Sequence, residues 1–293
     1  MLCLIVFLRE LSGNLNRTEI SEECLVEKSY FYYLGTSISE GGAIYKTTES
    51  ALRILSSVFS VCSAQTAGGA VKAVGGNFDV SGTCLYYCYV RTVADNYFGN
   101  GIYVKSNTNI GLISFLKCGS SKESSADTSL YVLNGPSVIE NANFSCCHGT
   151  GGASSVFFDS MISVSSMSYS NVAYGINACG IVFVPGISTT IRFMNMLHMR
   201  CYWQLNFVNQ PNTVFVSCQY FNNTFSAFSG PSSATYTLCY SDYSGGPCTI
   251  ATLFTHQVSP LSFEKCTFTL LPTSQKTFSS LSRQIFILAL YLK

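Results

Sequence analysis

From about residue 40 to residue 270 the chain is written in short apolar and aromatic runs punctuated by Gly, Asn, Ser and Thr. Segments such as Ala43-Ile44-Tyr45, Gly101-Ile102-Tyr103-Val104, Ser129-Leu130-Tyr131-Val132 and Gly180-Ile181-Val182-Phe183-Val184 are too short for helices. Their β-branched and aromatic residues suit a pleated surface on which alternate side chains face opposite ways. No heptad pattern and no long charged linker interrupts them. The pattern predicts an all-β chain of many short strands.

The runs repeat. One motif is Gly-Gly-apolar or a degenerate form of it: Gly41-Gly42-Ala43-Ile44, Gly68-Gly69-Ala70-Val71, Asn100-Gly101-Ile102-Tyr103, Gly151-Gly152-Ala153 and Cys179-Gly180-Ile181-Val182. The other places an apolar residue three positions before Cys or Ser: Phe59 and Cys62, Leu85 and Cys88, Phe115 and Cys118, Phe144 and Cys147, Met167 and Ser170, Phe215 and Cys218, Phe263 and Cys266. The second motif follows the first by about twenty residues, and the whole recurs about every 23 to 30, a period typical of solenoids. A sandwich or barrel would also have closely spaced strands. Only a parallel β-helix, however, stacks each coil about 4.8 Å above the last and so brings like residues over like. The expected fold is a right-handed parallel β-helix of eight to nine coils, roughly 40 Å long. The Gly pair is expected at the corner before a strand, where φ > 0 is needed.

Gly-Gly-Ala-Ile/Val followed at a fixed distance by an aromatic-x-x-polar tetrad resembles the repeat of the polymorphic outer-membrane protein family. That family comprises right-handed parallel β-helix surface proteins, found as bacterial autotransporter passengers and as large surface-protein families in some protists. The family's tetrad ends in Asn, whereas this chain places Cys there. The resemblance implies surface display with adhesion or host contact, and it carries over no catalytic residue.

Of the 293 residues only 11% are charged, against about 25% in an ordinary soluble domain. The net charge of +1 gives no electrostatic drive toward nucleic acid or an anionic membrane. Fourteen cysteines point first to an oxidising compartment, as do the glycosylation sequons at Asn16, Asn143 and Asn222. Leu2 to Leu8 reads either as a short secretion signal or as a first buried strand. Ile285 to Leu292 is shorter than the roughly 20 residues of a membrane span. It reads as a final strand or cap, or as the stub of a truncated anchor, the one route to a membrane. The division expected is 1–20 signal segment and N-terminal cap, 21–277 β-helix, and 278–293 apolar tail.

Cys62, Cys88, Cys118, Cys147, Cys218 and Cys266 are expected to form one ladder. Stacked coils would bring neighbours such as Cys62 and Cys88, or Cys118 and Cys147, within the 4.4 to 6.8 Å or so that a disulfide requires between Cα atoms. Small buried thiols are the other reading. Cys84-x-x-x-Cys88 and Cys146-Cys147-His148 lack the paired framework of a zinc site.

Many β-helices cleave polysaccharides, which requires clustered carboxylates or a placed base. Here the five aspartates, Asp79, Asp95, Asp127, Asp159 and Asp242, are dispersed. Asp95, Asp127 and Asp159, spaced by 32, read as three loop residues opening turns at similar phase or as a stack on one face. His148, His198 and His256 lie in no motif. A polysaccharide lyase or glycosidase is therefore the alternative to the main expectation. The latter is a non-catalytic extracellular or cell-surface adhesin-like or display module, with no cofactor or metal. It would contact a protein or glycan of a host or neighbouring cell through outward rings such as those around Tyr86, Tyr87 and Tyr89.

Overall fold

A computed structural model describes residues 3–5, 8–10, 18–36, 40–91, 99–119, 128–133, 136–149, 156–159, 162–170, 173–174, 181–183, 189–197, 199, 204–208, 213–225, 227–229, 234–244 and 246–250. Side chains are described within 18–149 and at 190–192, 194, 196, 199, 213–225, 234–244 and 246–249. Every described regular element is a β-strand, and all strand pairs are parallel, so the chain is a parallel β-solenoid.

Its strands stack on three faces. On the first, Ile44 lies in register with Thr18 and Val71, and the line continues through Ile102, Leu130, Val156 and Ile181. On the middle face Val26, Ile54, Val80, Ile110, Ile139, Val164, Ile191, Phe215 and Tyr236 succeed one another. On the last face the line is Phe31, Phe59, Leu85, Phe115, Phe144, Tyr169, Met196 and Tyr220. These inward stripes are apolar and, where their side chains are described, almost wholly buried on the first two thirds of each line. Like stacks on like: Phe31 lies over Phe59 at 4.6 Å between ring centres, Phe115 over Phe144 at 4.7 Å, and Phe215 over Tyr236 at 4.8 Å. Each such Phe contributes about 1.5–3 kcal/mol of burial, and the stacked rings add a smaller term.

Strands Val71–Tyr86 and Gly99–Leu116 run through two corners, with a shift of register between Val74 and Asn77 at the first. At the two corners that flank the last face, one left-handed residue turns the backbone. Between the middle and last faces these are Lys28, Ser56, Gly82, Leu112, Asn141, Ser217 and Leu238; after the last face they are Tyr33, Val61, Tyr87, Lys117, Cys146 and Asn222. All have φ near 50°, and only Gly82 is a glycine, so most corners hold a side chain in a conformation it disfavours. Interstrand bonds such as Val61 N–H to Tyr86 O (2.8 Å) and Tyr87 N–H to Leu116 O (2.9 Å) carry the ladder through the bend.

The Gly pair does what its position requires. Gly41 and Gly68 have φ of 64° and 61°. Gly42 and Gly69 instead allow close approach: a methyl at Gly69 would run into the carbonyl of Asn100, and one at Gly42 into that of Gly69. Register sets Val71 against Ile102, so the third motif is Gly99-Asn100-Gly101-Ile102, one residue earlier than Asn100-Gly101-Ile102-Tyr103. Gly151 and Gly152 lie outside the described residues.

The apolar run at the start of the chain contributes Cys3–Ile5, paired in parallel with Cys24–Glu27, and Leu8–Glu10 pairs with Tyr30–Tyr32. No helix among the described residues is long and apolar enough to cross a membrane. The tail at 278–293 lies outside the described residues.

Candidate functional site: corner ladders and outer faces

The corner grammar is local. After an inward strand residue comes an outward one, then the left-handed residue, then a side chain returning to the interior. At the corner after the last face this fourth position holds Cys62, Cys88, Cys118 and Cys147, all free thiols and all buried. Each sulfur donates to a carbonyl of the preceding coil: Cys62 to Phe31 O (3.7 Å), Cys88 to Phe59 O (3.6 Å), Cys118 to Leu85 O (3.7 Å) and Cys147 to Phe115 O (3.5 Å). Cys62, Cys88 and Cys147 also reach the carbonyl two residues back, at 3.6 Å. Burial pushes the thiols of Cys88, Cys118 and Cys147 well above the ordinary range, because a thiolate there would be desolvated.

Cys218 does not belong to this ladder. Phe215 pairs with Ile191 on the middle face, so Cys218 stands at the other corner, where earlier coils place Ser29, Ser57 and Thr83. Those hydroxyls donate to the carbonyl two residues back at 2.9, 2.8 and 3.1 Å, and Cys218 does the same to Val216 O at 3.5 Å. Cys239 and Cys248 continue this second line, since Gln219 pairs with Tyr240 and Tyr240 with Thr249. Hydrogen bonding with Cys218 and Cys248 lowers the pKa of the Cys239 thiol, and hydrogen bonding with Cys239, followed by burial, raises that of Cys248. The single ladder read from the sequence is therefore two ladders on two corners. Cys266 lies outside the described residues.

Met167 and Ser170 are likewise misplaced as a tetrad. Met167 pairs with Ala142, and it is Tyr169 that lies over Phe144. Further along, Tyr220 takes this position, and three residues on comes Asn223. Its amide donates to Met196 O at 2.9 Å and its carbonyl accepts from Met199 N–H at 2.8 Å. A Tyr-x-x-Asn tetrad thus sits at the phase of the Phe-x-x-Cys ones. Searching for an aromatic three residues before Asn, as well as before Cys, would have found it.

Another residue went unread. Lys46 shares the inward stripe of Ile20 and Ala73 and is 1% exposed. Its ammonium donates to Thr48 O (2.6 Å) and Gly75 O (2.7 Å), closing the corner between first and middle faces. Burial lowers its pKa, and Glu49, whose carboxylate accepts from Gly76 N–H, opposes that shift.

Two outward stripes are covered. On the first face Lys72 pairs with Glu40 and lies 5.9 Å from the Tyr45 ring and 5.2 Å from that of Tyr103, which stacks on Tyr131 at 5.4 Å. Tyr103 and Tyr131 are both buried, and burial with Glu40 nearby raises the Tyr103 phenol. On the last face Cys84, Ser114 and Asn143 are buried although they point away from the core stripe, and Cys84 is disulfide-bonded. Aromatic rings gather around the corner after the last face. There Tyr32 adjoins Tyr30 (6.0 Å) and Tyr33 (6.2 Å), and Tyr87 adjoins Tyr86 and Tyr89 (6.2 Å each). Arg91 lies 6.0 Å from the Tyr89 ring, and Tyr33 is 58% exposed.

Of the acids, Asp79 pairs with Arg53 at 3.3 Å and Asp242 accepts from Asn222 N–H at 2.6 Å. Asp159 is in register with Leu133; Asp95 and Asp127 lie outside the described residues. His148 donates its backbone N–H to Cys118 O at 2.9 Å. Among the described residues no three His, Cys, Asp or Glu side chains converge as metal ligands. Of the sequons, Asn143 is buried in strand Ser137–Ser145, Asn222 is exposed at a corner, and Asn16 lies outside the described residues.

No family model, curated protein or solved structure matches this chain.

Proposed function

We propose that the chain is a non-catalytic, secreted or surface-exposed module, a right-handed β-helix of eight to nine coils of the polymorphic outer-membrane type. It would bind a protein or glycan of a host or neighbouring cell. The observation that carries this reading is a pair of tyrosine clusters two coils apart at one corner, Tyr30 with Tyr32 and Tyr33, and Tyr86 with Tyr87, Tyr89 and Arg91. Rings held on a stacked backbone lose little freedom on binding and offer apolar faces with hydroxyl edges, which suits a sugar ring or a protein patch. The low net charge fits a partner recognised by shape and hydrogen bonds rather than by long-range attraction. The general preference for right-handed parallel crossovers supports the hand.

The test is binding of the purified chain to a panel of glycans and to intact cells, wild type against Tyr33→Ala/Tyr87→Ala. Binding lost in the double variant with an unchanged circular dichroism spectrum is the expected result. Release of oligosaccharide from acidic or neutral polysaccharides, abolished by Asp127→Ala or Asp159→Ala, would replace this reading with that of a lyase or glycosidase.

A further inference from the structure

We propose that Asn222 is a site of N-linked glycosylation and that Asn143, which carries the same three-residue signal, is not. For its occurrence in the native cell this rests on the secreted or surface reading above.

The two sequons differ in where the solenoid puts them. Asn143 lies within strand Ser137–Ser145, in register with Ser114 and Ser168, and is 6% exposed on a stripe where Ser114 and Cys84 are also buried. Its chain neighbours Ala142 and Phe144 face the core. An oligosaccharide on that amide would have to force apart whatever closes over the stripe, so a chain modified there could not complete the stack. Asn222 is the left-handed corner residue, with φ of 51°, a conformation that Asn tolerates better than most residues. It is exposed, as is Thr224, which supplies the sequon hydroxyl. The same turn position presents Tyr33 and Lys117 to solvent in earlier coils. The structural duty at this corner falls to Asn223, which bonds Met196 and Met199, while the Asn222 N–H is held by Asp242. Exposed at the outside of the turn, Asn222 has solvent around it in which a bulky group can be accommodated.

The reaction is a transfer from a polyprenyl-diphosphate-linked oligosaccharide. The Asn222 amide nitrogen attacks the anomeric carbon of the first sugar and forms a C–N bond. The bond from that carbon to the phosphate oxygen breaks, polyprenyl diphosphate leaves, and the amide nitrogen gives up one proton to a base of the transferase.

The full chain should be expressed in a eukaryotic cell behind an appended secretion signal, so that the native destination is not what is tested. Sequon peptides are then mapped by mass spectrometry in both retained and secreted material. Glycan is expected on the Asn222 peptide and none on the Asn143 peptide. Thr224→Ala and Asn222→Gln should each remove that one glycan, whereas Ser145→Ala should leave the glycan mass unchanged. An unmodified Asn222 peptide, or a glycan on Asn143 in folded secreted protein, overturns the proposal. Failure of the surface reading is a separate result, seen as a cytosolic location of the untagged chain in its own cell.

Discussion

Asn223 occupies the corner position that Cys147 holds earlier in the solenoid, and both donate a hydrogen bond to a carbonyl of the coil before: Asn223 to Met196 O at 2.9 Å, Cys147 to Phe115 O at 3.5 Å. The amide also accepts from Met199 N–H, which a thiol, a weak acceptor, does poorly. Cysteine at this corner is thus a smaller, drier version of the asparagine, with part of its hydrogen bonding exchanged for burial.

Asn223→Ala should destabilise the chain by about 1–3 kcal/mol, because Met199 N–H loses its acceptor in a buried setting. Asn223→Cys should fall between the two, since it keeps a donor for Met196 O but supplies little to Met199. Urea unfolding of the three proteins gives the ranking, and equal midpoints for Ala and Asn would refute the bridging role.

The parallel stacking was legible in the sequence because a solenoid repeats its inward side chains at fixed phase; Phe59, Leu85, Phe115 and Phe144 are in register as their motifs imply. The assignment failed at Phe215-x-x-Cys218 for a physical reason. Both corners are built from the same four steps, so an aromatic followed by a left-handed residue and a thiol satisfies either one, and only pairing with Ile191 tells which. Lys46 was illegible because a charged side chain at an inward phase contradicts the pattern unless backbone carbonyls, here of Thr48 and Gly75, are waiting for it. The burial of Cys84, Ser114 and Asn143 was hidden too, since alternation places them outward and says nothing of what lies over them.

Gly69→Ala should be severely destabilising, by about 1–3 kcal/mol or more, because its new methyl meets the Asn100 carbonyl rather than a yielding side chain. Gly111→Ala is the control: the nearest atom to its methyl would be Ser81 Oγ at 3.6 Å, an ordinary contact. A change within about 0.5 kcal/mol is expected there. Thermal unfolding of both variants decides the matter.

Stability should decline with rising pH above the ordinary thiol range, about 8.5. The unfolded chain releases its thiol protons there, whereas folded Cys88, Cys118 and Cys147 hold theirs because burial raises their pKa. The stabilisation is complete below the unfolded value and is lost as pH climbs past it, by up to about 1.4 kcal/mol per pH unit for each thiol. Denaturation midpoints measured from pH 7 to 10 should show a shallower slope for Cys118→Ala than for the wild type. An identical slope would mean that Cys118 ionises as readily in the folded protein as in the unfolded one.

Cys146 and Cys147 are adjacent in sequence and opposite in chemistry. Cys146 is the left-handed corner residue and half-buried, whereas Cys147 turns inward, is 1% exposed and donates to Phe115 O and Ser145 O. Because the reagent must reach the sulfur, a short alkylation pulse at pH 8 on the native protein should label half-buried Cys146 and spare buried Cys147, Cys118, Cys88 and Cys62. Peptide mapping should find those four labelled only after denaturation. Labelling of Cys147 at a rate matching that of Cys146 would show that the corner opens as a unit, and with it the end of the Cys62 to Cys147 ladder.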